Sequence, residues 1–274
     1  MENLIPDRLT ILGHPQRLAL FRLLMRRYPD RVPAGEIAEA LGVRANTLSN
    51  YLSALMTADL VEQRREGRSL LYRVNIASVR DTFDFLLRDC CRGRPDVCAP
   101  LSRAAPLARS GRGLRYHVLF LCTGNSARSI LAEAILRTEA GDRFDAWSAG
   151  TRPAPGVHPA AAGLLQAQGH DISGLRPKAV AEVSGPDAPR FDFVFTVCDR
   201  AANEECPAWP GQPVSAHWGM PDPVAVAGTE AERGLAFRQT YRALKRRIGA
   251  FAALPVETLD RVALQAEADR IGRL

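Results

Sequence analysis

Apolar residues recur at helical spacing in the first part of the chain and in short continuous runs further on, a change of period that predicts two architectures in one polypeptide. From His14 to Arg27, Leu20, Leu23 and Leu24 fall on one helical face. Pro33 opens a second, short helix with Ile37, Ala38 and Leu41 on one side, and Gly42 ends it. After Val43-Arg44, a third helix carries Leu48, Leu52, Leu55 and Met56. Two short helices joined by a tight, Gly-containing turn form a helix-turn-helix pattern. The stretch VEQRREGRSLLYRV, residues 61–74, reads as two strands turning at Glu66-Gly67, which completes a winged helix. A further helix spaces Val79, Phe83, Leu86 and Cys90 at steps of four, three and four, a face suited to dimer packing.

The period then vanishes. APLSRAAPLARSGRG is rich in Ala, Pro, Gly, Ser and Arg, so residues 99–114 read as a flexible or semi-extended tether, spanning on the order of 20 Å. Beyond it, Tyr116 to Leu121 and FDFVFTV (191–197) are buried-strand patterns, and Ile130 to Glu139 is helical. The expected domains are therefore 1–98, mostly α and winged helix-turn-helix, and 115–274, with the linker 99–114 between them. In the tail, Leu259, Val262, Ala263 and Ala266 suggest an added helix, packed on the core or at a dimer contact. No apolar run approaches a membrane span, and no basic head followed by an apolar stretch marks a signal peptide, so a cytoplasmic protein is expected.

Charge sharpens the division. The net charge is +6, and all of it sits in residues 1–114, where eighteen arginines and no lysine face twelve carboxylates. Local basicity of this kind points to a polyanion partner, and with the winged helix-turn-helix pattern to DNA. Asn46, Thr47, Ser49 and Asn50 crowd the start of the third helix, where a recognition helix reaches base edges. Arg64, Arg65 and Arg68 cluster near the hairpin tip, where they can grip phosphate or the minor groove.

The six cysteines form two groups of three, one on each side of the linker: 90, 91 and 98, then 122, 198 and 206. In the second group, an apolar strand runs directly into Cys122-Thr123-Gly124-Asn125-Ser126-Ala127-Arg128-Ser129 and then into a helix. That spacing turns loop N–H groups inward around a tetrahedral oxyanion, with the helix N-terminus adding positive potential. Arg128 can take two oxyanion oxygens, Ser129 can hydrogen-bond the sulfur, and Asn125 can fix the loop. The same field is expected to lower the Cys122 pKa and make it a nucleophile. Asp222, held between prolines on a later loop, is a candidate general acid. The five histidines form no ligand pattern and read as structural or exposed.

Two resemblances follow. Residues 8–98, through LGHPQRLALFRLL, GEIAEALGV, NTLSNYLSALMTADLV and RREGRSLLYRV, resemble the ArsR-type metal-responsive repressors. The resemblance implies a winged-helix homodimer that leaves a palindromic operator on binding a metalloid. Many relatives carry a cysteine pair in the helix before the recognition helix, but here GEIAEAL has none. Cys90, Cys91 and Cys98 instead suit As(III) as inducer, a soft centre that prefers three thiolates in a trigonal pyramid. Zinc fits less well, since no fourth Cys or His lies nearby.

Residues 115–253, through VLFLCTGNSARS, WSAGT, FTVCDRAANEECPAWPG and AHWGMPDP, resemble the arsenate reductase branch of the low-molecular-weight phosphatase superfamily. The implied fold is a doubly wound α/β domain with a four-stranded parallel sheet. The implied roles are Cys122 nucleophile, Arg128 oxyanion clamp, Asp222 general acid, and Cys198 then Cys206 as resolving thiols. Thr123, Gly124, Asn125, Ser126, Ala127 and Ser129 would line the substrate. No tightly bound cofactor is implied, and thioredoxin would return the electrons. Seven residues separate Cys198 from Cys206, where some thioredoxin-linked members have six, so a glutathione-based system stays an alternative. Two rivals remain: a protein tyrosine phosphatase, and an oxyanion-sensing regulator without turnover. The Cys198/Cys206 pair, which hydrolysis does not need, and the absence of aromatics in Val224-Ala225-Val226 favour the reductase.

Overall fold

A computed structural model describes residues 4–92, 115–185, 188–204 and 209–274. The proposed linker 99–114, Cys98 and Cys206 lie outside the described residues. The chain divides into two compact units, residues 1–104 and 105–274.

The first unit runs α1 (Leu4–Leu12), α2 (Pro15–Arg27), β1 (Val32–Pro33), α3 (Ala34–Leu41), α4 (Ala45–Thr57), β2 (Val61–Glu66), β3 (Ser69–Val74) and α5 (Ile76–Phe85), which passes into a π-turn at Leu86–Cys90. Local chemistry sets the boundaries. Pro15 occupies the first turn of α2, where its missing N–H is harmless, and Gly42 ends α3 in the left-handed region at φ 64°. Gly67, at φ 58°, lets β2 turn into β3 in two residues, so that Glu66 pairs with Ser69. Leu20, Leu23, Leu24, Ile37, Leu48, Leu52 and Leu55 form the core, while Ala38, Leu41 and Met56 pack at its margin.

Two features escaped the hydrophobic pattern. β1 adds a third strand through Val32–Tyr72 pairing. α1 is fastened by a buried charge: Arg8, 5% exposed, donates to the Ala58 carbonyl (3.0 Å), the Ser78 carbonyl (2.9 Å) and Thr82 Oγ1 (3.0 Å), and lies 3.5 Å from Asp59. Burying a guanidinium is tolerable only with such full pairing, which ties α1 to the end of α4 and to α5. Along the expected Val79–Phe83–Leu86–Cys90 stripe, Val79 packs in the unit's own core, Phe83 is 54% exposed, and the chain leaves α-helical geometry at Leu86.

The second unit runs β4 (Tyr116–Cys122), α6 (Arg128–Ala140), β5 (Phe144–Gly150), α7 (Pro159–Ala167), a 3-10 turn (Val180–Val183), β6 (Phe193–Thr196), α8 (Asp199–Asn203), β7 (Val214–His217), α9 (Glu230–Ala252) and α10 (Arg261–Ile271). Its four strands are all parallel, in the order β5-β4-β6-β7. β4 is covered on both faces, hence its unbroken apolar run. Val118 and Phe120 share one cluster with residues of α6 and α9, while Leu119 and Leu121 face Val183, Phe191 and Val194 on the other side. Trp218 stacks on Phe195 with ring centroids 4.0 Å apart.

The tail packs on the core; of the expected residues Leu259 lies against it, but the helix that follows turns a different face inward. Leu264, Ala268 and Ile271 point inward, whereas Val262 is 69% exposed and Ala266 is exposed as well. The reason is the edge strand. α10 lies against β7, Trp218 Nε1 donates to the Ala268 carbonyl (3.0 Å), and the Gln265 amide donates to Ser215 O (2.7 Å) and accepts from Ser215 N (3.3 Å). A side chain thereby satisfies an edge that would otherwise invite another strand. Among the described residues, no helix is long and apolar enough to cross a membrane.

Candidate functional site

In an open parallel sheet, ligands bind beyond the carboxyl ends of the strands where the winding direction reverses. Here the chain passes from β4 to β5 on one side and returns to β6 on the other, so the reversal lies between β4 and β6. Cys122 ends β4 and Cys198 follows β6, with Leu121 paired to Thr196 just before them. Two cysteines far apart in sequence are brought side by side by strand pairing: Cys198 Sγ lies 3.5 Å from Thr123 Oγ1.

The loop 122–128 is turned inside out by the segment after β5. N–H groups of Thr151, Arg152, Ala154 and His158 donate to the carbonyls of Cys122 (3.2 Å), Thr123 (2.9 Å), Gly124 (2.8 Å) and Ser126 (2.9 Å). With its carbonyls held outward, the loop is free to aim N–H groups inward, as an oxyanion cradle requires. Gly150 has to be glycine: a Cβ there would stand 2.6 Å from the Thr123 carbonyl oxygen and 3.0 Å from the Asn125 backbone nitrogen.

Asn125 is fully buried at φ 45°, a left-handed conformation that Asn tolerates. The Lys178 N–H donates to its Oδ1 (2.6 Å), which fixes the amide orientation and directs Nδ2 to Ser129 Oγ (2.9 Å) and Ser148 Oγ (2.8 Å). Since Ser129 Oγ already accepts that bond, its own hydrogen can point at Cys122 Sγ, 2.8 Å away. Behind this row, Ser148 donates to the buried Glu133 carboxylate, which also receives Lys178 Nζ (3.1 Å) and Arg137. Ser148, Glu133, Lys178 and Gly150 had escaped sequence reasoning; the WSAGT motif was the only signal for two of them.

Cys122 is 3% exposed, and its sulfur accepts the Asn125 N–H at 3.1 Å. Burial pushes its thiol up, the Ser129 hydroxyl opposes that, Cys198 adds to the rise, and the Ser129 and Asn125 N–H groups act downward. The net shift is upward, against the expected lowering, because desolvation outweighs the local donors.

Arg128, first residue of α6, donates from Nη2 to Asp222 Oδ2 (2.7 Å) and from Nη1 to the Met220 carbonyl (3.2 Å), and Val224 N–H holds Asp222 Oδ1 (3.1 Å). Clamp and candidate acid are thus in contact at the loop. Cys198 is buried and caps α8, accepting the Ala201 N–H at 3.4 Å. Cys206 lies outside the described residues.

In the first unit, Asn46, Ser49 and Asn50 are exposed at the start of α4 and Thr47 is half-buried. Arg64, Arg65 and Arg68 are exposed around the β2–β3 turn, Arg64 lying 3.5 Å from Glu66. Cys90 is exposed and Cys91 half-buried on the π-turn. Among the described residues, no three His, Cys, Asp or Glu side chains are placed to hold a metal ion, and the third thiol, Cys98, is not among them.

Comparison with known proteins matches residues 117–265 to the low molecular weight phosphotyrosine protein phosphatase family and residues 12–64 to a helix-turn-helix domain family. An arsenate reductase of Halalkalibacterium halodurans is 38% identical over 135 residues, 49% of this chain and 94% of its own length. The arsenate reductase of Bacillus subtilis is 35% identical over 136 residues, again 49% and 94%. Among solved structures, a thioredoxin-dependent arsenate reductase of Corynebacterium glutamicum is similar at 21% identity and a TM-score of 0.36, covering 79% of this chain and 94% of that one.

Proposed function

The chain belongs to the low molecular weight phosphotyrosine protein phosphatase family, and from that premise we propose that its second unit is an arsenate reductase working by a thiol relay, fused to an arsenic-responsive DNA-binding repressor. The observation that carries the reductase reading is a second buried cysteine, Cys198, beside the loop of Cys122. Hydrolysis of a phosphate ester has no use for it.

Arsenate sits in the loop, where N–H groups and Arg128 take its oxygens. The Cys122 sulfur attacks arsenic, an As–O bond breaks, and Asp222 gives the departing oxygen its proton, so that water leaves. Cys198, as thiolate, then attacks the Cys122 sulfur. The S–As bond breaks with its electron pair left on arsenic, arsenite departs, and a Cys122–Cys198 disulfide remains. Cys206 attacks Cys198, expels Cys122 as thiolate, and leaves a Cys198–Cys206 disulfide for thioredoxin to reduce. In the test, Cys198→Ser blocks turnover with a thioredoxin system yet still lets arsenate modify Cys122, and Cys206→Ser stalls at the Cys122–Cys198 disulfide. Wild-type turnover in both variants would refute the relay, and thioredoxin-independent turnover with glutathione would replace the reductant.

For the first unit, support comes from the polar start of α4, the exposed arginines of the wing and the positive balance of residues 1–114. Exposed Leu4, Leu9 and Phe83 offer an apolar surface for a homodimer. Cys90 and Cys91, with Cys98, are the proposed As(III) ligands. Each phosphate contact contributes about 0.9 to the slope of log affinity against log salt. Replacing Arg64, Arg65 and Arg68 with Ala should therefore flatten that slope by roughly 2.7 per protomer in an operator titration. An unchanged slope would remove the wing from the DNA interface.

A further inference from the structure

In the relay Cys198 has to meet the sulfur of Cys122, and the short helix that it caps cannot by itself set its position. α8 has five residues, too few to persist without outside ties. Besides the packing of Ala201 and Ala202, the described residues show a polar tie at each end, to His217 and to the Arg152 side chain.

At the first end, the Asp199 carboxylate lies 2.9 Å from His217 Nε2, and His217 Nδ1 lies 2.8 Å from Thr196 Oγ1 on β6. A carboxylate only accepts, so Nε2 carries a proton and donates it to Asp199. His217 is buried at the end of β7, and the next loop closes over the pair: a Cβ on Gly219 would lie 2.4 Å from His217 Nε2 and 2.5 Å from Asp199 Oδ1. At the other end, Glu204 receives Arg152 Nη2 at 2.5 Å, while the Arg152 backbone N–H holds the Thr123 carbonyl at 2.9 Å. One tie therefore fixes the Cys198 segment to the sheet, and the other to the scaffold of the nucleophile loop. The Arg152–Glu204 pair is the more exposed of the two and the weaker tie.

We propose that His217 and Arg152 are positioning residues for the relay, holding Cys198 through Asp199 and Glu204 in line with the Cys122 sulfur. The inference rests on the reductase reading. The step they serve is the one in which the Cys198 thiolate forms the S–S bond, the S–As bond breaks, and the electron pair leaves with arsenite. Neither residue touches arsenic, so both should act on this transfer and leave oxyanion binding alone.

The test uses the whole reduced chain carrying Cys206→Ser, in which the relay stops at the Cys122–Cys198 disulfide, mixed with arsenate in a single turnover without thioredoxin and quenched for mass-spectrometric mapping of disulfides. Misplacing a reacting group by about 1 Å costs up to about a hundredfold in rate. His217→Ala and Arg152→Gln should therefore slow formation of the Cys122–Cys198 disulfide by between about tenfold and a hundredfold. Protection of Cys122 from iodoacetamide by inorganic phosphate should stay at its wild-type level. His217→Gln, which can still donate to Asp199, should recover part of the rate. The exchanged pair Arg152→Glu with Glu204→Arg should recover what either single change loses. Unchanged disulfide formation in both His217→Ala and Arg152→Gln overturns the proposal, as does an equal loss of phosphate protection, which would make these residues supports of the loop. If the Cys206→Ser parent forms no Cys122–Cys198 disulfide, the relay itself has failed, a result separate from any difference among the variants built on it.

Discussion

Cys122→Ser should abolish arsenate reduction, by on the order of 10⁴-fold or more, and leave operator binding at its wild-type strength. The first half follows from what sulfur does in the relay. A serine oxygen could keep the bonds from Asn125 N–H and Ser129, so the loop should hold its shape. It cannot, however, form the bond to arsenic whose breakage leaves an electron pair behind, and it cannot enter a disulfide. The loss should therefore appear wholly in turnover, with phosphate affinity retained. The second half follows from the cores. Among the described residues each unit has its own apolar cluster: one built on Leu20, Leu24 and Leu52 in the first, and those built on Phe120, Phe195 and Phe251 and on Leu119 and Phe191 in the second. Arsenite production in a coupled thioredoxin assay measures the first effect, and anisotropy of labelled operator DNA the second. A folded Cys122→Ser protein with weakened DNA affinity would show that the two units are energetically coupled.

What could be read from the chain alone was what is local. The strand, loop and helix around Cys122 and Arg128 are contiguous, so their spacing already implies a cradle. The same holds for the α3–α4 turn with Gly42 and for the wing with Gly67. The contacts that tune these elements come from far along the chain. Asn125 is fixed by Lys178 and Ser148, Gly150 makes room for the loop, and Arg8 closes on Asp59 and Thr82. No period in a sequence reports a buried arginine that has found partners. The upward shift of the Cys122 thiol was hidden for a related reason: donor groups can be counted from a motif, but burial by neighbouring elements cannot. His217 forms no ligand pattern in the sequence, and it is the pairing of β6 with β7 that brings it to Thr196 and Asp199. In the tail, the helical spacing was visible but its phase was not, since α10 turns toward the edge of β7.

The fusion imposes an order of events on the protein, and that order is the second result to expect: arsenate should not release the chain from its operator until it has been reduced. Arsenate is a hard, tetrahedral oxyanion, suited to N–H groups and a guanidinium, and it finds them around Cys122 in the second unit. Arsenite is soft and prefers thiolates, and the thiols proposed to sense it, Cys90, Cys91 and Cys98, belong to the first. Under the proposed function, the inducing species is made at one site and read at the other. With purified reduced protein on labelled operator DNA, arsenite alone should dissociate the complex. Arsenate should do so only with thioredoxin, thioredoxin reductase and NADPH present, after a lag that shortens as enzyme concentration rises. In Cys122→Ser the arsenate response should vanish and the arsenite response should remain. In a Cys90→Ser, Cys91→Ser double variant the pattern should invert, with arsenate still reduced but DNA still held. Prompt release by arsenate in the Cys122→Ser variant, or without any reductant, would place control of the DNA-binding unit in direct oxyanion recognition and not in the cysteine triad.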